Sequence, residues 1–217
     1  MNGAPVDLAD RCHASGKYTF QCIGPRTEEE GQRIVAYLRE HPEMYDLPYP
    51  NIEAAEILGI PLREKWVDEQ LNTVVTVGKN LALDTYLAGA AYTVTGPFMG
   101  LISGNSFFSG GILAADTMAS HANWAEAGSG TAPLYTSPRK TAAWNSASAG
   151  SKALSAALSF AIQSTGTVKG AFLVFGAGAV SQIDNTAGTL YSAGLFGTGD
   201  RAVLSGDTLN VSYSTSL

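Results

Sequence analysis

The stretch KALSAALSFAIQSTGTVKGAFLVF, residues 152–175, decides the fold. In its first half Leu154, Ala156, Leu158, Phe160 and Ile162 alternate with Ser155, Ala157, Ser159, Ala161 and Gln163, a period of two that predicts a half-buried strand. Gly166 interrupts the run. In the second half Val168, Ala171, Phe172, Leu173, Val174 and Phe175 leave hardly any polar face, so this strand is expected at the centre of its sheet. Further on, residues 189–196 and 201–204 read as short strands and Ser205-Gly206-Asp207 as a turn. Leu209, Val211 and Tyr213, alternating with Asn210, Ser212 and Ser214, predict a last strand.

Toward the N-terminus the pattern changes. Residues 1–25 hold Gly3, Pro5, Gly16, Gly24 and Pro25 around one short candidate strand, Lys17 to Ile23, and are expected to form an extended arm. Thr27 and Glu30 have capping-box spacing, and Glu28 and Glu29 suit the positive end of a helix that carries the apolar stripe Ile34, Val35 and Leu38. Pro42, Pro48 and Pro50 make a stiff connector. A second short helix from Asn51 carries Ile52, Ala54, Ala55, Ile57 and Leu58 and is stopped by Gly59. From Gly78 the pattern Leu81, Leu83, Tyr86 and Leu87 predicts a helix ended by Gly89. Tyr92, Val94 and residues 98–102 read as strands, residues 114–121 as a short helix, and residues 122–151 as a long connection with an edge strand near 140–144. The expected architecture is mainly β. A 71–217 antiparallel sandwich or jelly roll of roughly seven strands follows a 1–70 segment of arm and two short helices. No internal repeat suggests a solenoid.

The 217 residues carry a net charge of −6 with a pI near 5.0, and no cluster of Lys or Arg offers a nucleic-acid footprint. Residues 1–70 hold 7 basic and 13 acidic side chains, whereas residues 71–217 hold only 6 of each and 19 of the 24 glycines. The second part must therefore be coated by Ser, Thr, Asn and Gly, a weakly hydrated surface that suits a homo-oligomer or a subunit among neighbours, with a monomer in a hydroxyl-rich coat as the alternative. No stretch approaches the length of a membrane span, and Asn2 to Asp10 lacks the regions of a signal peptide. Cys12 and Cys22 are accordingly expected as free thiols made in a reducing cytoplasm.

Candidate chemistry is sparse. Gly176-Ala177-Gly178-Ala179-Val180-Ser181 follows an apolar strand, but residues 182–188 are turn chemistry rather than the start of a helix, so a loop is expected and no nucleotide cofactor. Lys79 after Gly78 lacks the rest of a phosphate loop. His13, His41 and His121 are scattered, and Cys12, His13 and Cys22 give too few ligands for a closed metal site. There is no Gly-x-Ser-x-Gly, since Gly104-Asn105-Ser106 is followed by two phenylalanines. Asp84, Asp116, Glu126, Asp184, Asp200 and Asp207 carry no pairing that spacing alone assigns. His121, between Asp116 and Trp124, is the one candidate for a small polar site. The expectation is of no catalytic residue, no cofactor and no metal.

The phrases Thr76-Val77-Gly78-Lys79-Asn80, Met99-Gly100-Leu101-Ile102, Ala115-Asp116-Thr117-Met118, His121-Ala122-Asn123-Trp124, Gly166-Thr167-Val168-Lys169-Gly170 and Ser205-Gly206-Asp207-Thr208-Leu209 resemble a small all-β virion structural protein of tailed bacteriophages. The resemblance covers residues 71–217 and implies a virion component with no catalytic residues to carry over. From the layout, a capsid-surface decoration or head-fibre protein is expected, bound to shell subunits through Ile34, Leu38, Ile57 and Leu58. A neck- or tail-attached protein is the nearest alternative. A different class is a carbohydrate-binding module stacking a host glycan on Trp124, Tyr135 and Trp144.

Overall fold

A computed structural model describes residues 15–87, 95–105, 110–128, 130–136, 138–197 and 199–216. The expected strands at Tyr92 and Val94, the helix stop at Gly89 and the arm before residue 15 lie outside them. The described residues form eleven strands and three α-helices, and every strand pair is antiparallel.

The first strand, β1 (Ser15–Gly24), contains the expected strand Lys17 to Ile23 but corrects the expectation that it lies in an extended arm. It pairs along its length with the last strand, β11 (Thr208–Ser216), and on its other side with β2 (Arg63–Leu71). Together with β6 (Ser151–Ala153) and β7 (Leu158–Ala161), both on β11, they make a five-stranded sheet. The expected boundary at residue 70 therefore does not separate an appendage from a β-domain. The strict alternation of β1 is the reason: Tyr18, Phe20 and Cys22 all face inward with no exposed surface.

The second sheet has six strands. Its path is β3 (Thr73–Val74), β9 (Thr189–Leu195), β8 (Gly166–Phe175), β4 (Phe98–Ser103) and β5 (Lys140–Thr141), with β10 (Arg201–Val203) also on β8. Between the sheets lies one core in which Tyr18, Phe20, Phe160, Leu209 and Val211 meet Met99, Leu101, Val168, Ala171 and Leu173. β8 is central, as its apolar run requires. Its other face carries Phe172 and Val174 into a second core with Val75, Ile102, Met118 and Trp124, covered by the 110–128 segment. A helix, α3 (Thr76–Leu87), lies against β9 so closely that a β-carbon at Gly78 would collide with the Tyr191 carbonyl. That contact accounts for Gly78 without a phosphate.

Two other local expectations change. Residues 154–162 do not form one strand, because Leu154 bridges Trp144 and the chain bends before β7. Residues 114–121 form turns rather than a helix, since the Asp116 carboxylate accepts the Leu113 N–H and the Trp124 indole N–H, a side-chain alternative to helical pairing.

The core holds three tyrosines whose burial has a measurable consequence. Burial pushes Tyr213 up to about 12 and lifts Tyr18 and Tyr135 well above the ordinary value. Above the unfolded value near 10 the native state retains protons that the unfolded chain has lost, so stability falls as pH rises. Tyr213 alone is expected to remove about 2–3 kcal/mol by pH ~12. Urea unfolding across this range, followed with tyrosinate absorbance, checks it; a flat stability curve contradicts it.

Candidate functional site

The helical unit is built from local signals and then closed by its own core. In α1 (Glu28–Glu40) the Thr27 hydroxyl accepts the Glu30 N–H at 3.2 Å and the Glu30 carboxylate accepts the Thr27 N–H at 3.1 Å, the reciprocal cap expected. A 3₁₀ turn at Pro42–Asp46 leads to α2 (Pro50–Ile57). Ile34 and Leu38, expected to face a partner, are fully buried with Met44, Ala54, Ala55 and Ile60, and Leu58 packs against the same cluster. The correction has a simple cause. Two short helices have so little apolar area that this narrow stripe is consumed in holding them together.

Ile57 is different, at 61% exposed, and the unit also exposes Leu47 at 41% and Tyr49 at 40%. Tyr49 caps α2 and Ile57 ends it, eight residues on, with exposed Glu53 midway, so the three share one side of the helix. This face is held rigidly to the sandwich. The Asn51 amide donates to the carbonyls of Ile162 at 3.1 Å and Asp207 at 2.6 Å, Thr165 donates to the Glu28 carboxylate, and Gly31 lets α1 rest on the Ser205 carbonyl.

The aromatics expected to stack on sugars are not exposed rings. Trp124 is 3% exposed, covered on one side by His121 at 3.9 Å and tilted against Phe172 at 5.3 Å. Tyr135 is equally buried, edge-on to Phe160. Trp144 is half-buried and edge-on to Tyr213. Their large area goes to the cores, which is where a nearly uncharged body places such rings.

The acids are taken up by partners. Asp207 is fully buried, bonded by Lys65 Nζ at 2.7 Å and by the Leu204 N–H, while the Cys22 thiol donates to it at 3.4 Å. Burial and then the Asp207 charge push that free thiol far above the usual range, which makes it an inert core group. Asp200 pairs with Lys169. Cys12, His13 and the Asp84 side chain lie outside the described residues. His41 is held by the Tyr37 carbonyl and ring. Among the described residues no three His, Cys, Asp or Glu side chains are grouped as for a metal.

His121 and Trp124 stack at one wall of a cleft of about 190 Å3 on the outer side of the six-stranded sheet, and Asp116 accepts the Trp124 indole N–H without lining the cleft. His121 Nδ1 sits 3.0 Å from the Trp124 carbonyl, so Nδ1 carries the proton and Nε2 the lone pair of the neutral ring. The floor is an ion pair that sequence reasoning missed. Arg139, 1% exposed and lying over the Phe172 ring, reaches Glu126 with Nε at 2.8 Å and Nη2 at 2.6 Å. Glu126 is positioned by strand-like pairing of residues 125–127 with β4, and Arg139 by its own N–H on the Ser181 carbonyl. Burial lifts the Glu126 carboxyl above the usual range, against the pull of the guanidinium and of the Asp184 N–H. Asp184, exposed and at φ 61°, forms the opposite rim. One weak signal for the pair was present: Arg139 is the lone arginine between Arg63 and Arg201, and an arginine in so weakly charged a segment invites a carboxylate partner.

Comparisons with protein-family models, curated proteins and solved structures find no match for this chain.

Proposed function

We propose that the protein is a non-enzymatic structural component of a phage particle, a capsid-surface decoration or head-fibre subunit that binds shell proteins through its helical unit. The sequence resemblance of residues 71–217 supports the virion assignment. The observation that carries the attachment role is the exposed apolar pair Tyr49 and Ile57 on one side of α2, with Leu47 exposed on the same unit, fixed by buried hydrogen bonds to a β-sandwich. Such a side combines apolar anchors with the exposed acid Glu53 between them, and Glu43, Asp46 and Glu56 are exposed on the same unit, a mixed surface that suits docking. The β-body then projects from the shell, and its hydroxyl-rich coat serves contacts among copies.

The test uses the full-length chain, because residues 15–24 and 63–71 belong to the sandwich and cannot be deleted with the helices. Ile57→Asp is expected to lower incorporation into particles by tenfold or more, about 1.4 kcal/mol of lost docking, with an unchanged melting curve. Undiminished incorporation of a folded Ile57→Asp, Tyr49→Asp double variant would overturn the assignment.

A further inference from the structure

We propose that the cleft over the Glu126–Arg139 pair is a binding site for a small neutral polyhydroxyl ligand, one monosaccharide-sized ring. This rests on the cleft alone and is independent of any role in a particle.

Size sets the first limit. At about 190 Å3 the cleft has the liquid volume of roughly six waters, enough for a single ring and too little for an extended chain. Charge sets the second. Glu126 and Arg139 cancel, leaving the Asp184 carboxylate as the uncompensated charge, so an anion is disfavoured. A cation gains little, because Asp184 is exposed and its field is screened by solvent and salt. A metal ion lacks ligands, since no three suitable side chains are grouped among the described residues.

What remains matches hydroxyl groups, each of which both donates and accepts. Asp184 and His121 Nε2 offer acceptors, and Thr186 offers a hydroxyl that plays either part. Arg139 supplies a buried donor. Of its five N–H groups, one serves each oxygen of Glu126, one the Asn185 carbonyl and one the Val180 carbonyl at 3.3 Å. The fifth, on Nη1, has no acceptor among the described residues, and a buried unpaired donor is costly unless a water or ligand meets it. Met118 and the stacked His121–Trp124 rings give the apolar wall that the C–H face of a sugar requires. Trp124 thus shapes the wall without itself being an open stacking platform.

The experiment is a titration of the full-length protein by NMR with glucose, galactose, mannose, N-acetylglucosamine and myo-inositol, with ammonium and acetate as charged controls. At least one polyol is expected to bind with a millimolar Kd and to shift the His121 ring signals. Asp184→Gly, which suits the positive φ, and His121→Phe, which keeps a ring over Trp124 but removes Nε2, are each expected to weaken that binding tenfold or more while a cooperative melt is kept. Binding that persists unchanged in both variants overturns the site. A response to ammonium or acetate alone overturns the ligand class, and silence from all five polyols overturns the proposal.

Discussion

A chain lacking residues 1–24 is expected not to fold. β1 lies between β2 and β11, so its removal strips both neighbours of their ladder partner at once. It also removes Tyr18, Phe20 and Cys22 from the central core, all fully buried. Two aromatic side chains and a thiol represent about 500 Å2 of apolar area, or about 12 kcal/mol at 25 cal/mol per Å2. That is comparable to the whole net stability of about 5–15 kcal/mol typical of a domain, and the orphaned backbone groups of β2 and β11 add to the loss. Expression in soluble form and a thermal melt followed by circular dichroism give the readout. A soluble monomer with a cooperative transition would show that β1 is dispensable and that the first 24 residues are an appendage after all.

Arg139→Ala is expected to destabilise by about 3–5 kcal/mol, because it leaves the Glu126 carboxylate buried without its cation and the carbonyls of Asn185 and Val180 without a donor. For a chain of this length that corresponds to a fall in Tm of roughly 6–20 °C. The orphaned Glu126 escapes part of the penalty by holding a proton. An acid whose folded pKa lies above its unfolded value loses stability as pH rises, so the defect should be larger at pH ~8 than at pH ~5. Urea unfolding at the two pH values measures both parts. The companion double variant Glu126→Leu, Arg139→Met replaces the pair by apolar groups and is expected to be more stable than Arg139→Ala, since breaking a buried pair costs more than removing it whole. An Arg139→Ala protein within ~1 kcal/mol of the parent at both pH values would mean that the pair is not the anchor of the cleft floor.

These two cases mark where the sequence was legible. The alternation of Leu209, Val211 and Tyr213, the two-sided run Ala171 to Phe175 and the capping box at Thr27 and Glu30 are local statements, and each appears in the structure where its spacing put it. Ile57 was named from the apolar side of the second helix just as Ile34 and Leu38 were from that of the first, yet it is exposed and they are buried. A stripe reports that a side chain is apolar and on one side; it does not report what lies opposite. The cleft was partly visible in the spacing of His121 and Trp124, whereas Arg139 and Asp184 came from separate segments.

By itself the sequence determined a mainly β chain, the alternation of β11, the two-sided apolar run of β8 and the capped start of α1, because side-chain periodicity and caps act over a few neighbouring residues. Only the tertiary structure decided that Ser15 meets Ser216, 201 positions away, that the first third belongs to the sandwich, and that Glu126 lies on Arg139. Strand pairing runs through backbone N–H and C=O groups that are alike at every residue. Partner choice is therefore settled by which complete set of faces can be buried together.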